Sequence, residues 1–543
     1  MKETNEPSSI EVGPTSAGQL LTNDDQVLAR LGKKPVLKRN FGFVSMLGFS
    51  CTVMITWEGV LLLFSSNFSN GGYAGSVYAY LIVWLGTLAI FATMGELASI
   101  YSQGPNFWRP VPLGFHACSS VMSKILELPN RSVLQNPSCL SERWTTVIGW
   151  QAAVASGGFL AGSLVTGLIG LNHPQYAAKP WQILLLFYAF ILFSVFINTV
   201  ISRALPKIEG LMLIIHVLGF FGILIPLIYM APHTSAHDVF TVFLNKGGFA
   251  TQGLSTLVGM LGPVFCFLGA DSAVHMSEEI HNATVIVPQA MIFSIALNGI
   301  LGFGMLIATL FCLGDVDTVL AAPYAFMAIF QQAVQSNGGA TAMAAIVTIL
   351  TICALISFVA SASRMTWSFA RDRGLPFWKY LSKVDRGTSI PLISIGLTTA
   401  ISCLLALIIL GSSVAFNDVL SLTVSSLFIS YLIGNGLLLY RRVTGSIDPY
   451  DPNSEALTNV ANTERLSWGR WKIQEPFGTI VNAFGCAFML VILFFSFWPT
   501  VVDPNAQFMN FSSLMMGSVV IFSVLYYLVW ARKVYTGPVI ELF

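Results

Sequence analysis

Residues 266–291, with the sequence CFLGADSAVHMSEEIHNATVIVPQAM, contain the feature that decides the fold. An apolar run of the kind that crosses a membrane is interrupted by Gly269, Ala270 and Asp271 and then continues into the charged sequence HMSEE. A carboxylate inside a membrane span is costly and usually faces a cavity or a partner, so Asp271 predicts a functional site. Broken helices are typical of transporters, because their freed backbone groups can hold a solute and an ion. The alternative is a span that simply ends at Gly269.

The composition is that of a polytopic membrane protein. The 543 residues are 55% hydrophobic and only 10% charged, whereas soluble proteins are about a quarter charged. The net charge of +1 gives no reason to expect a nucleic acid partner. The sequence has no phosphate-binding loop, metal-ligand cluster or nucleophile elbow. We therefore predict no cofactor, and the sequence favours neither an enzyme nor an ATP-driven pump.

Apolar stretches near the length of about 20 residues needed to cross a bilayer predict twelve transmembrane helices in an all-α fold. The first six are residues 44–65, 76–98, 146–170, 181–201, 208–230 and 255–275. The other six are residues 289–313, 341–363, 391–411, 418–440, 478–498 and 513–531. Basic residues are retained on the cytoplasmic side of membranes. With an even number of spans the basic clusters fall on one side, so we predict that both termini are cytoplasmic.

The two ends of the chain are predicted to be tails. Residues 1–43 are polar and lack the apolar core of a signal peptide, which predicts a disordered cytoplasmic segment. Residues 536–543 form a second, shorter cytoplasmic tail. The transmembrane domain is predicted to occupy residues 44–535.

The first and sixth predicted spans share an acidic residue close to a glycine near mid-span. The sequences are Trp57-Glu58-Gly59 in the first and Gly269-Ala270-Asp271 in the sixth. Paired interruptions at corresponding places in two halves indicate an inverted repeat with a binding site between the halves. Coincidence is the alternative, since glycine is common in membrane helices.

Two further groups of ionisable residues are candidates for coupling and gating. His216 lies about two turns inside the fifth predicted span, where an imidazole can carry a coupling proton near neutral pH. A hydrogen-bonded structural histidine is the alternative. Arg371 follows the eighth span and would form a gate with an acid, for which the candidates are Glu96, Glu278 and Glu279. The alternative for Arg371 is a simple anchor on the positively charged side.

Four segments of the chain resemble one family. They are NGGYAGSVYAYLIVWLGTLAIFATMGELAS (70–99), TVIGWQAAVASGGFLAG (146–162), GADSAVHMSEEIHNATVIVPQAM (269–291) and SRMTWSFARDRGLPFWKYLSKV (363–384). These segments are similar to the fungal amino acid/choline transporter group of the amino acid–polyamine–organocation superfamily, which includes choline permeases and GABA permeases. The resemblance runs from about residue 42 to 535 and implies a LeuT-like fold. Two inverted five-helix repeats (44–230 and 255–440) would be followed by two extra helices (478–531).

The resemblance also implies a binding site and a mode of action. In this family the broken first and sixth helices hold the substrate. The matching residues here are Thr56, Trp57, Glu58 and Gly59 in the first helix and Phe267, Gly269, Ala270 and Asp271 in the sixth. The implied activity is secondary active import, driven by protons, at the plasma membrane.

Residue chemistry agrees with a small cationic or zwitterionic nitrogen compound, such as choline, GABA or an amino acid. Aromatic faces at Trp57 and Phe267 attract a quaternary ammonium group, and helix N-termini hold a carboxylate. Glu58 or Asp271 would meet the cationic end, and Glu58, Asp271 or His216 would carry the proton. A nutrient sensor that signals through its tails is the alternative, but the tails are short, which favours transport.

Residues 104–143 depart from the family pattern. The family has a P-T-x-G-G-Q-Y-H-W-V loop before the third helix, whereas residues 109–119 here are RPVPLGFHACS. Dropping one base from a back-translation of those residues restores the sequence G-Q-Y-H-W-V-S-M-L-A. We hypothesise a splicing or gene-model error, with the frame lost near residue 105 and an unspliced piece over 132–143, which would make the product transport-defective. A lineage-specific cytoplasmic loop is the alternative.

Overall fold

The computed structural model describes residues 36–101, 131–385, 387–411, 416–450, 466–505 and 509–535. Within these ranges the chain is nearly all helical, and eleven helices are long and apolar enough to cross a membrane. The predicted all-α polytopic fold is confirmed. The sixth predicted span is not among the eleven, because it is divided into short helices on either side of a break.

The first half of the chain supplies the first five spans. Its helices are α1 (Phe43–Met54), α2 (Thr56–Leu62), α3 (Phe64–Tyr101), α4 (Arg131–Asn172), α5 (Pro180–Thr199) and α6 (Leu205–Met230). Helix α3 begins twelve residues before its predicted start at 76 and bends at Gly72, whose φ of 67° is not helical. A short helix, α7 (Ala236–Thr241), leads towards the second half.

The second half begins with the broken sixth span. Its helices are α8 (Gln252–Gly259), α9 (Leu261–Cys266), α10 (Ser272–His275), α11 (Ala283–Phe311), α12 (Val316–Ala321), α13 (Ala325–Val334), α14 (Asn337–Arg371), α15 (Trp378–Leu381), α16 (Leu392–Ala406), α17 (Ile408–Gly411) and α18 (Phe416–Val443). After a two-residue parallel pairing of β1 (Ile447–Asp448) with β2 (Leu466–Ser467), the chain adds α19 (Phe477–Phe495) and α20 (Ser512–Val529).

Burial separates central helices from peripheral ones. In the apolar window of residues 43–62, which covers α1 and α2, 83% of the residues are buried, whereas only 22% are buried in α20 and 28% in α5. When a helix is apolar on every side and is also exposed at the surface of the bundle, its outer face contacts lipid. The first span is therefore at the centre of the bundle, where a carboxylate is shielded from both water and lipid.

Three predicted segments fall partly or wholly outside the described residues. Residues 102–130, 1–35 and 536–543 lie outside them, so the frameshift hypothesis and the two tails stay predictions. The last residues of the predicted amino-terminal tail, which ends at residue 43, are described and make contacts with the second half of the chain. Phe41 is buried, and the backbone N–H groups of Asn40 and Phe41 both point to the carbonyl oxygen of Glu279, at 2.9 and 3.0 Å.

Candidate functional site

The first span is broken at Ile55, between α1 and α2. Ile55 has φ 38° and ψ 47°, the left-handed conformation. A β-branched residue in this region is an outlier, and such strain persists only where surrounding structure enforces it. The predicted interruption at Glu58-Gly59 is thus three to four residues too late, because Thr56, Trp57, Glu58 and Gly59 form the first turn of α2.

The sixth span is broken at the place that its sequence indicates. Residues 267–271 lie between α9 and α10, and Gly269 has a φ of 103°, which favours glycine. All of the predicted site residues in this break, Phe267, Gly269, Ala270 and Asp271, are buried.

The two breaks pack against each other. The hydroxyl of Thr56 donates a hydrogen bond to the carbonyl oxygen of Cys266 at 2.8 Å. A Cβ atom added to Gly59 would lie 2.7 Å from Sγ of Cys266, so only glycine allows α2 to approach α9 this closely. The structure therefore brings all eight predicted substrate-site residues into one region at the centre of the bundle.

A buried acid–base pair lies beside the first break. Oε1 of Glu58 is 2.7 Å from Nδ1 of His216, and both side chains are almost fully shielded from solvent. Among the described residues, Oε2 of Glu58 and Nε2 of His216 have no hydrogen-bond partner. The ring of Trp57 lies 5.7 Å from that of His216 and covers the pair. Removal of either partner from such a buried pair leaves the other polar group without its partner, which is strongly destabilising.

Asp271 is held by donors from three elements. The hydroxyl of Tyr431, on α18, donates to Oδ1 at 2.6 Å, and Nε1 of Trp150, on α4, donates to Oδ2 at 3.2 Å. Nε2 of His275, four residues along the chain, also lies 3.2 Å from Oδ2. Asp271 thus ties the break to two long helices.

Aromatic side chains pack closely around the two breaks. The ring of Phe267 packs on Tyr80 at a centroid distance of 5.3 Å, and Trp57 packs on Phe220 at 6.1 Å. The cavity beside Gly59 and Cys266 has room for about one water molecule. A nitrogen compound the size of choline or GABA does not fit into this cavity unless the two breaks move apart.

Two of the three acidic gate candidates, Glu278 and Glu279, form ion pairs in the segment between α10 and α11. Nη1 of Arg371 lies 3.1 Å from both carboxylate oxygens of Glu278, as the sequence suggested. Glu279 instead accepts from Nε of Arg364 at 3.0 Å. The third candidate was wrong as a partner of Arg371, because Glu96 pairs with Arg442 and accepts from the backbone N–H of Ile473 at 2.7 Å.

Sequence reasoning missed several members of these networks. His275 was detectable, since it stands four residues after Asp271, a helical neighbour spacing. Glu209 was detectable as an acid within the fifth span, where it is fully buried and accepts from the hydroxyl of Ser357 at 2.9 Å. Trp150 carried no signal for a bond to Asp271, because only the packing of α4 on the break brings them together. In the described ranges no group of three His, Cys, Asp or Glu side chains is placed to hold a metal ion.

Comparison with known proteins identifies the family. A sequence profile for amino acid permeases matches residues 41–521. A choline transporter of Saccharomyces cerevisiae is 27% identical over 503 residues, which is 92% of this chain and 82% of the relative. Amino-acid permease 2 of Neurospora crassa is 23% identical over 548 residues (98% of this chain and 92% of the relative), and amino-acid permease BAT1 of Arabidopsis thaliana is 23% identical over 531 residues (94% and 95%). The chain therefore belongs to the amino acid permease family, and it is a membrane transporter of amino acids or amines rather than an enzyme.

Proposed function

We propose that this transporter is a proton-coupled importer of a small cationic or zwitterionic nitrogen compound, such as choline, GABA or an amino acid, at the plasma membrane. The observation that carries the proposal is the buried pair of Glu58 and His216 beside the first break. The carboxylate of Glu58 would be the common binding group for the proton and for the cationic end of the substrate, which would compete for it or share it. Two ligands that meet at one group change each other's binding free energy, typically by about 1 to 3 kcal/mol.

Residues at the two breaks would bind the other parts of the substrate. The first N–H groups of α2 have no intrahelical acceptor by the geometry of a helix start, so a substrate carboxylate would bind there. Trp57 and Phe267 would pack on the carbon skeleton or on a quaternary ammonium group, which aromatic faces attract. Asp271 already accepts from Tyr431 and Trp150, so its first task is to hold the sixth-span break in place.

Transport requires the region around the two breaks to open on alternate sides of the membrane. The pairs of Arg371 with Glu278 and Arg364 with Glu279 connect α14 to the segment after α10. We assign these two pairs to a cytoplasmic gate, which parts when α10 moves away from α14. The main-chain bonds from Asn40 and Phe41 to Glu279 place the start of the first span on the same segment.

Uptake measurements test the proposal. Cells that lack their own permeases would express this chain with the family frame restored in residues 104–143, and would receive labelled choline, GABA or single amino acids, with and without a proton uncoupler. We expect one of these compounds to accumulate against its gradient, and the uncoupler to abolish that accumulation. Replacement of sodium in the medium serves as the control, and accumulation that follows sodium but resists the uncoupler contradicts proton coupling. Cells with the chain at their surface and no uptake of any compound would contradict transport of this substrate class.

A further inference from the structure

The sixth break contains a second acid–imidazole pair. Nε2 of His275 lies 3.2 Å from Oδ2 of Asp271, and both side chains are fully shielded from solvent. The pair repeats the arrangement beside the first break, where Oε1 of Glu58 lies 2.7 Å from Nδ1 of His216. The coupling proposed above places a proton on the first pair only, and the imidazole of His275 has no part in it.

The two acids are balanced by imidazoles rather than by lysine or arginine. Among the described residues, His275 is the one basic side chain within ion-pair distance of Asp271, and His216 is the one beside Glu58. An unbalanced charge in a dry interior is costly, so such a group is neutralised or paired. Each pair becomes neutral when it takes up one proton, which makes a carboxylate beside an imidazolium. In the conformation described, the two breaks therefore hold two protons.

The pair at the sixth break is suited to release its proton as well as to hold it. The hydroxyl of Tyr431 donates to Oδ1 of Asp271 at 2.6 Å, and Nε1 of Trp150 donates to Oδ2 at 3.2 Å. Both bonds remain when the imidazole of His275 loses its proton, and hydrogen bonds of this kind favour the charged form of a carboxyl group. The imidazole is therefore the group that stores the proton.

His275 lies between the sixth break and the proposed gate. It is the last residue of α10 and stands just before Glu278 and Glu279, which pair with arginines of α14. Its side chain is buried, yet the residue as a whole is partly exposed, so its main chain borders accessible space. When α10 moves away from α14, water reaches the imidazole. The proton then passes from the imidazolium nitrogen to a water molecule and leaves a neutral imidazole.

The other charged groups that face α10 are already engaged. Of the helices that pack on α10, α1 and α11 have no acidic or basic side chain, and both arginines of α14 are paired with the acids of the gate. On α18 the phenol of Tyr431 donates to Asp271. On α4 the facing residue is Trp150, whose indole does not titrate, and Glu142 and Arg143 lie about two turns earlier with partners of their own. The described neighbours of His275 therefore leave Asp271 as its proton-exchange partner.

We propose that His275 and Asp271 form a second proton-binding site, so that two protons accompany each substrate. This inference rests on the proton-coupled import proposed above and goes beyond it, because it adds a site on the sixth span. When the breaks face the outside, the carboxyl group of Asp271 takes a proton from water and passes it to Nε2 of His275. When the gate parts, the imidazolium gives the proton to water on the cytoplasmic side.

The number of protons per substrate can be measured in proteoliposomes. They contain the full-length chain with the family frame restored in residues 104–143, and valinomycin with equal potassium on both sides holds the membrane potential at zero. The substrate is whichever of choline, GABA and the single amino acids is taken up fastest. A tenfold substrate gradient is balanced by a pH gradient of about 0.5 unit for two protons and about 1 unit for one. We expect the parent chain to need the smaller pH gradient.

Two histidine variants assign the second proton. His275→Gln removes the titrating group and keeps an amide that can donate to Asp271, so it should still transport and should need the larger pH gradient. His237→Gln is the matched control, because this imidazole also faces an acid, with Nδ1 3.5 Å from Oδ1 of Asp238, but is 81% exposed. It should need the same pH gradient as the parent chain.

The outcomes separate this inference from the proposed function. If the parent chain needs the larger pH gradient, or if His275→Gln needs the smaller one, the second site is overturned while coupling at Glu58 stands. The value for the parent chain gives this test even if His275→Gln does not fold, and His275→Asn then serves as the second variant. Transport by the parent chain that does not respond to a pH gradient overturns the proposed function together with the second site.

Discussion

The backbone of Gly269 and the side chain of Val53 are in contact across the two breaks, so closely that a Cβ atom on Gly269 would lie 2.4 Å from Cγ1 of Val53. The φ of 103° at Gly269 adds a conformational penalty for any other residue. The packing of the sixth span against the first therefore depends on this one glycine.

Replacement of Gly269 by alanine should destabilise the protein by about 2 to 5 kcal/mol, the sum of backbone strain and overpacking. Thermal unfolding of the purified variant measures the effect. Gly396→Ala on α16 is the control, because a Cβ atom there has no neighbour within 4 Å. The double variant Gly269→Ala with Val53→Ala should recover only part of the loss, since the backbone strain remains. Equal stability of Gly269→Ala and Gly396→Ala would contradict the proposed packing.

Glu58→Gln should abolish accumulation against a gradient while the protein still reaches the cell surface. The amide cannot take up a proton, so the unit formed with His216 loses one of its two exchangeable sites. Uptake and surface amount should be measured together between about pH 5 and pH 8, the range in which imidazoles titrate. Residual downhill uptake by the variant should depend less steeply on external pH than uptake by the parent chain. Unchanged, pH-dependent accumulation would remove Glu58 from the coupling site.

Asp271→Asn should eliminate uptake without preventing delivery to the membrane. The new amide NH₂ would face Tyr431 or Trp150, both of which donate to Asp271, so the break would lose its anchor. Tyr431→Phe removes one bond and leaves two, and should lower stability by about 1 kcal/mol with only a partial loss of uptake. Normal transport by Asp271→Asn would show that this carboxylate is dispensable.

The ion pair of Arg371 and Glu278 offers a charge-reversal test. Arg371→Glu places two carboxylates together in a site where both side chains are less than a tenth exposed, and it should abolish uptake. The double variant Arg371→Glu with Glu278→Arg restores opposite charges and should recover a measurable part of the rate. A double variant that is no better than the single one, at equal surface amount, would argue against this pair as the gate.

The sequence of the transcript decides the status of residues 104–143. We expect complementary DNA from the source organism to encode G-Q-Y-H-W-V in place of the corresponding residues of RPVPLGFHACS. The corrected chain should then transport while the chain as written does not. A transcript that encodes RPVPLGFHACS, with measurable uptake, would establish these residues as a genuine loop.

The two breaks show what the sequence could and could not predict. The break at Gly269 was predictable because glycine and an acid interrupt an apolar run, and both signals are local. The break at Ile55 was not, because isoleucine favours neither the left-handed conformation nor a helix end, and only packing against α9 imposes it. The helix that follows begins at Thr56, so the acid at Glu58 marked the right region but the wrong residue.

The same distinction between local sequence signals and packing applies to Glu58 and Asp271. The two acids could be predicted from the sequence, but their partners could not. Acidic residues within apolar runs could be found by inspection, since their burial cost makes them conspicuous. Their partners Trp150, Tyr431 and His216 lie on α4, α18 and α6. The choice of partner for each acid depends on how these helices are rotated and tilted in the bundle, and no local sequence pattern encodes that.

The pairing of Phe41 with Ile280 constrains the order in which the chain can be assembled. A ribosome releases the chain from its amino-terminal end, so the segment before the first helix waits without its partner until the whole first half and the sixth span have been synthesised. The bond from Thr56 to Cys266 imposes the same delay on the first break. During biogenesis the first span therefore stays without its partners, and its Glu58 carboxylate must be accommodated in the membrane or shielded by the insertion machinery. This state lasts until the second half of the chain has been synthesised.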